Sequence, residues 1–285
     1  MQPDQPSRTA VRVAIHRAAH QIIDQPPVFI DPLAVQVLPP KVRATLEADP
    51  RQFERPLFGA RLRAHLVARS RVAEDALTEA VARGVRQYVI LGAGLDTFSW
   101  RNRHPDLHVF EVDHPSTQNW KRRVLQASGF AEPANVTFVP VDFERDALAD
   151  VLMAAGLRAD APSFFSWLGV VPYLEKATVW KTLGLVSELA GAAGGIVFDY
   201  GAPPRPWNLV AHLVGWSFRR RLARVGEPLR TVLSPGEVAR GLERLGFTTV
   251  RDDDHGAIVG RYFKGRGDRL RPGRLAHIVL ATRAT

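Results

Sequence analysis

Three short apolar runs end on residues that can do chemistry. Tyr88-Val-Ile-Leu runs into Gly92-Ala-Gly94, His108-Val-Phe-Glu-Val ends on Asp113, and Val136-Thr-Phe-Val-Pro-Val ends on Asp142. A glycine pair after a strand lets the backbone turn sharply and come close to a ligand. Asp113 follows Gly92 by 21 positions, near the roughly 20 at which a ribose-binding acid follows a glycine turn. A carboxylate there can accept hydrogen bonds from both ribose hydroxyls. Glu111 points to the same face but deeper in the strand, so Asp113 is the better ligand, although it could instead cap a helix before Pro115. Asp142 can accept the exocyclic amine of an adenine while Phe143 packs on the ring, or it can cap a helix starting near Glu144. Two acids at successive strand ends converge on one crevice, which favours the ligand reading for both.

The glycine turn discriminates between adenosine cofactors. A dinucleotide site needs G-x-G-x-x-G, with a helix N-terminus for the pyrophosphate. Here Thr97 stands at the third position, and Asp96 sits where an anion would approach. S-adenosyl-L-methionine has no phosphate and carries a sulfonium and an ammonium, so nearby acids help it. The residues therefore favour S-adenosyl-L-methionine over NAD.

The positioning elements follow from periodicity. Residues 8–23 have one apolar face at helical spacing, and Pro26-Pro27 ends that helix. Phe29-Ile-Asp-Pro then predicts a second helix, with Asp31 as N-cap and Pro32 at its first position. A third helix covers about 58–82 and stops at Gly84. Further strands are read at Ser163–Trp167 and Gly195–Tyr200, with helical patterns at Thr117–Ser128 and Lys176–Ala190. Such alternation predicts a parallel sheet with helices on both faces. After a helix at Pro235–Leu245, two strands at 247–251 and 277–281 lack a long crossover helix between them and are expected to pair antiparallel. Residues 201–234 are irregular and rich in Pro, Trp and Arg, as a lid or substrate insertion would be.

Composition removes several classes. The 285 residues contain no Cys, which excludes disulfides, thiolate nucleophiles and cysteine zinc sites. No stretch approaches the roughly 18 apolar residues of a membrane span, and the start lacks the pattern of a secretory signal; a cytoplasmic protein is expected. The net charge of +9 comes almost wholly from Arg. It fits a compositional bias towards Arg and Ala as well as a polyanionic partner.

Taken in order, Arg86-Gln-Tyr-Val-Ile-Leu-Gly-Ala-Gly-Leu-Asp-Thr97, Val109-Phe-Glu-Val-Asp-His-Pro115 and Val139-Pro-Val-Asp-Phe-Glu144 resemble the leucine carboxyl methyltransferase family of class I S-adenosylmethionine-dependent O-methyltransferases. Ser7–Ala10, Phe29–Pro32, Ala68-Arg69 and Gly226–Pro228 extend the resemblance over about residues 7–250. It implies an α/β, Rossmann-like single domain with a seven-stranded, mostly parallel sheet. An N-terminal helical cover would occupy 1–82, the cofactor core 85–200, the lid 201–234 and the C-terminal helix and strands 235–285. It implies Gly92 and Gly94 against the cofactor, Asp113 on the ribose, Asp142 and Phe143 on the adenine, and Arg69 on the methionine carboxylate. Arg17 matches a second basic residue in the first helix. One departure stands out: where the family carries W-E-G-V, this chain has Trp167-Leu-Gly-Val170, and Leu168 cannot accept a hydrogen bond from the ammonium.

Methyl transfer needs alignment more than side-chain chemistry. A carboxylate acceptor needs no base, whereas a hydroxyl benefits from one; His20, His65 and His114 are the candidates. His16 and His20 are four apart, but no acid or Cys partner stands at ligand spacing, so no metal is expected. The expected acceptor is a small, polyketide-like molecule modified on a carboxyl or hydroxyl oxygen. An RNA substrate for the Arg-rich segments and a non-enzymatic adenosine sensor are the alternatives.

Overall fold

The predicted alternation closes into one sheet. The computed structural model describes residues 6–54, 59–142, 147–204, 220 and 229–284. Its strands are β1 (Gln87–Leu91), β2 (His108–Asp113), β3 (Val136–Pro140), β4 (Ser163–Trp167), β5 (Gly195–Gly201), β6 (Thr249–Asp253) and β7 (Ala276–Thr282), in the order β3-β2-β1-β4-β5-β7-β6. The first five pair parallel, and β7 runs antiparallel to β5 and β6. The expected antiparallel end is therefore present. The connections reverse direction between β1 and β4, and ligands of such sheets bind in the crevice at that switch point.

Side chains alternate between two cores. Val89 and Leu91 of β1 join one, with Leu152 of α6 (Leu148–Ala154), Val179 and Leu183 of α7 (Lys176–Ala190) and Leu242 of α8 (Pro235–Arg244). Tyr88 and Ile90 face the other, with Val67, Val72 and Ala76 of α3 (Gly59–Ala82) and Ile258 of α9 (His255–Tyr262). A five-residue strand buried throughout needs apolar residues on both faces, so its run reads as continuous rather than alternating. A third cluster joins Ala14, Ile15 and Ala18 of α1 (Arg8–Ile23) and Leu46 of α2 (Pro40–Ala48) to Leu95 and Leu125. The N-terminal helices thus lie over the β1 turn, over the short α4 (Phe98–Arg101) that follows it and over α5 (Pro115–Ala127).

The segment opening at Asp31 departs from expectation: residues 32–37 form turns, and the next helix begins at Pro40. Asp31 is fully buried, with its carboxylate paired to Arg17 and accepting from Thr97 Oγ1 at 2.8 Å. It does accept from Leu33 N at 3.1 Å, so the capping geometry forms without the helix. Most of the predicted insertion at 201–234, with its Arg219–Arg224 cluster and Gly226–Pro228, lies outside the described residues, as does Phe143.

A buried histidine, His16, is expected to make this cover acid-sensitive. Burial, then Arg63 and Arg12, push the His16 imidazole down to about 4. Its unfolded value is about 6.5, so the unfolded chain binds the extra proton between those limits and stability falls with pH. A loss of roughly 3 kcal/mol is expected as pH drops from about 6.5 to 4. Urea unfolding across that range should show the slope, and His16→Gln should flatten it. An unchanged slope in the variant would assign the loss elsewhere.

Candidate functional site

Two turns meet at the switch point. In the β1 turn, Gly92 and Gly94 have φ of 69° and 53°, the left-handed region glycine enters without penalty. Gly92 N and Ala93 N both donate to Val112 O, at 2.8 and 3.0 Å, which ties the turn to β2. A Cβ on Gly92 would stand 2.7 Å from Val170 Cγ2 in the turn after β4. The first glycine is therefore required for close packing of the two turns as well as for its backbone angle.

Asp113 locks the turn to the second strand end. Gly94 N donates to its Oδ2 at 2.6 Å and His114 N to its Oδ1 at 2.7 Å. Each oxygen accepts one amide, and a carboxylate oxygen has capacity for another donor. Burial pushes the carboxyl up, and the two amides draw it back. The α5 cap is His114 rather than Asp113: its Nδ1 accepts from Ser116 N at 3.2 Å. Val141 N donates to Asp113 O at 3.0 Å, so Asp142 follows directly beside Asp113, half-buried. Asp113 closes β2, and Asp142, expected to close the third strand, stands two residues beyond the end of β3.

Arg17 reaches this turn from α1. It pairs with Asp31, donates to Thr97 Oγ1 at 3.2 Å and stands 3.5 Å from Asp96. Burial opposes ionisation of Asp96, but Arg17 and Arg101 outweigh it and hold the carboxyl low. The pyrophosphate position of a dinucleotide site is thus occupied by an anion with its own counter-cations. Arg17 is only 4 % exposed, and its Nε has no hydrogen-bond partner.

The β4 turn is held by a residue that the pattern did not single out. Asp199, inside β5, accepts from Gly169 N at 2.5 Å, Arg69 Nη1 at 3.0 Å and His65 Nε2 at 3.1 Å. Burial opposes its charge, but Arg69 and His65 hold it far below the usual carboxylate range. A Cβ on Gly169 would lie 2.6 Å from Arg69 Nη1. The guanidinium therefore packs flat on the turn next to Leu168. Leu168 packs among the apolar residues of the α3 face, while the acid of this corner comes from the next strand. The available signal was an acid inside a fully buried strand, which requires a cationic partner.

The three histidines differ in what they leave open. His20 has both nitrogens in use, Nδ1 with Asp24 at 2.6 Å and Nε2 accepting from Val28 N at 2.9 Å. His114 caps α5. His65 is held through Nε2, and its buried Nδ1 has no partner. Among the described residues no group of three or more His, Cys, Asp or Glu could hold a metal ion, and no helix is long and apolar enough to cross a membrane.

The sequence compares with a family model described as leucine carboxyl methyltransferase over residues 10–187, more than half of the chain. This chain belongs to the leucine carboxyl methyltransferase family. Family membership carries the class of reaction, methyl transfer from S-adenosyl-L-methionine. It agrees with relatives over nearly full length. The chain is 29% identical over 314 residues to "Putative S-adenosyl-L-methionine-dependent methyltransferase YktD" of Bacillus subtilis (strain 168), covering 99% of this chain and 100% of that one. It is 34% identical over 275 residues to a Mycobacterium avium (strain 104) protein named "Putative S-adenosyl-L-methionine-dependent methyltransferase", covering 91% and 82%. A solved structure described as a "putative methyltransferase" from Thermobifida fusca YX superposes with a TM-score of 0.61 over 99% of this chain and 96% of that one. At 15% identity that likeness speaks for the fold: the family's Rossmann-like, mostly parallel seven-stranded sheet.

Proposed function

We propose that this family member transfers the methyl group to an oxygen, carboxyl or hydroxyl, of a small-molecule acceptor, polyketide-like in character. The observation that carries the reading is the contact between the β1 and β4 turns, with Asp113 on one side and the Arg69–Asp199–His65 group on the other. The donor set suits the cofactor: acids for ribose and adenine, a counter-charged turn where a phosphate would need to sit, and cations towards the methionine carboxylate. In our assignment Gly92 and Gly94 line the donor, Asp113 takes the ribose, Asp142 and Phe143 take the adenine, and Arg69 and Arg17 serve the carboxylate end. Both cations already hold an acid, Asp199 and Asp31, so they are fixed in orientation before the donor arrives. Asp199 is our replacement for the acid missing at Leu168. When bound, S-adenosylmethionine supplies a methyl group already activated on sulfur. The chain's own residues then align donor and acceptor and exclude water. For a hydroxyl acceptor we assign the proton to His65, whose Nδ1 has no hydrogen-bond partner and whose Nε2 is held by Asp199.

Titration of S-adenosylhomocysteine by calorimetry tests the donor site. Saturable binding is expected, and Asp113→Ala should weaken it at least about tenfold, roughly 1.4 kcal/mol, by deleting two ribose hydrogen bonds. Absence of heat with folded protein, or an Asp113→Ala variant that binds like the parent, overturns the assignment. The acceptor is sought by incubating the enzyme and labelled donor with cell extract, followed by mass spectrometry. Label appearing only on nitrogen or carbon would refute the oxygen target, and label on RNA the small molecule.

A further inference from the structure

Two adjoining cavities lie where α1 ends, α3 begins and the chain approaches β7. Their volumes are about 520 and 370 Å³, and Arg61 and Arg271 line both, so they form one groove. The acids along it are already spent. Asp24 receives Arg63 Nε and Nη2 at 2.7 and 2.9 Å, and Asp268 receives Arg266 Nε at 3.0 Å. Arg51, also on the wall, pairs with Glu54 at 3.1 Å. Arg61, Arg269, Arg271 and Arg274 remain. All four are exposed, and among the described residues none has a side-chain ion pair or hydrogen bond.

The wall that carries three of them is built firmly. Leu270 and Pro272 are buried between the exposed arginines, so the cations project on one side while their neighbours anchor the strip. Arg266 Nη1 donates to Pro26 O at 2.5 Å and Leu270 N donates to Asp268 Oδ1 at 3.1 Å, pinning the strip to the end of α1. Arg269 holds a φ of 57°, a conformation that costs a non-glycine residue about 1–2 kcal/mol. Converging like charges without counter-ions repel, and a ligand bearing two or more negative charges relieves that repulsion.

The groove faces the side of the sheet on which the donor site lies. Ala276 pairs with Gly201 at the end of β5, and Asp253, two residues before His255 on the groove wall, pairs with Ile278. Arg61 precedes Arg69 by eight residues on α3, which is about 12 Å along the axis. A molecule of nucleotide size spans that distance, and the volume suits one. Among the described residues the lining contains no Phe, Tyr or Trp, the side chains on which single-stranded RNA bases stack. Guanidinium groups prefer planar, bidentate partners such as phosphate.

We propose that this groove binds a phosphate-bearing small molecule of the pyrophosphate or nucleotide kind, on the acceptor side of the methyltransferase site. Its placement on the acceptor side rests on the function proposed above; the anion site itself does not. The test is calorimetric titration of the full chain, at about 50 mM salt where phosphate contacts are strong, with pyrophosphate, ADP, coenzyme A and a single-stranded RNA oligonucleotide. Saturable binding of the phosphate probes is expected, weakened about tenfold or more in an Arg61→Ala/Arg271→Ala double variant. Coenzyme A binding more tightly than pyrophosphate marks the phosphate as a handle on a larger molecule; equal affinity marks a free phosphate ligand. S-adenosylhomocysteine affinity should stay the same in the double variant, so failure of the groove is distinct from failure of the donor site. The proposal is overturned if no phosphate probe saturates by about 10 mM, if the double variant binds pyrophosphate as the parent does, or if RNA binds more tightly than all three.

Discussion

Replacing Asp199 by Ala is expected to produce the largest combined loss of stability and donor binding. The carboxylate gathers Arg69, His65 and the Gly169 amide from α3 and the β4 turn, and it is 4 % exposed. Removing it strands a buried guanidinium, which costs about 3–5 kcal/mol. The same change releases Arg69 from Gly169, so S-adenosylhomocysteine affinity should fall at least about tenfold. Asp199→Asn keeps the shape and one acceptor, and should retain more stability than Ala while still losing the charge on which Arg69 depends. The pH dependence has a defined sign. A carboxyl held far below its unfolded value contributes fully above about pH 4 and loses that contribution as pH falls further. The gap in unfolding free energy between parent and Asp199→Asn should therefore be constant from neutral pH down to about 4 and close below it. A gap of under about 1 kcal/mol at pH 7 with unchanged donor affinity would make this group a surface-like pair of little consequence.

How much of this was legible follows from how locally each feature is determined. The strand ends Leu91 and Asp113 and the helix 176–190 are set by short apolar runs and by glycine or acid at their ends, and all stand where the pattern put them. Asp113 ends β2, and Asp142 follows two residues after the end of its parallel neighbour β3, so both stand at the same edge of the sheet. The resemblance to the family extended this to the number of strands, while their order is a property of the fold. Asp199 was not legible because its role depends on α3 crossing β5, a contact between residues 130 positions apart. The helix expected at Asp31 failed for the same kind of reason. The local signals Asp-Pro were right for a cap, but Arg17 and Thr97 claim the carboxylate and hold the segment as turns. Arg17 illustrates the limit: its type and helix position suggest an anion clamp, while its orientation towards Asp31 and Asp96 is a property of the packed cover.

Glu111 shows the opposite case, an acid whose spacing matches a ligand and whose depth makes it structural. It points to the same face as Asp113, but it is fully buried against Lys121, itself fully buried, and accepts from Ser99 Oγ at 2.5 Å. Lys121 Nζ also donates to Asp96 O at 3.0 Å, so the pair fastens α5 and the β1 turn to β2 from behind the ribose acid. Lys121→Met is expected to destabilise the protein by about 3–5 kcal/mol at neutral pH, because it leaves a buried carboxylate unpaired. Burial already pushes the Glu111 carboxyl up, against the pull of Lys121, and without the lysine it must rise further. Protonation then removes the offending charge, so the deficit of Lys121→Met should shrink as pH is lowered from 7 towards 5. The double variant Glu111→Leu/Lys121→Met removes both charges and should recover most of the loss, since a buried pair replaced by apolar side chains of similar volume is often nearly neutral. Urea unfolding of the three proteins at two pH values separates the outcomes. A double variant as unstable as Lys121→Met would show that the contacts to Ser99 and Asp96, rather than the stranded charge, dominate this corner, and Asp113 would then depend on those hydrogen bonds for its place.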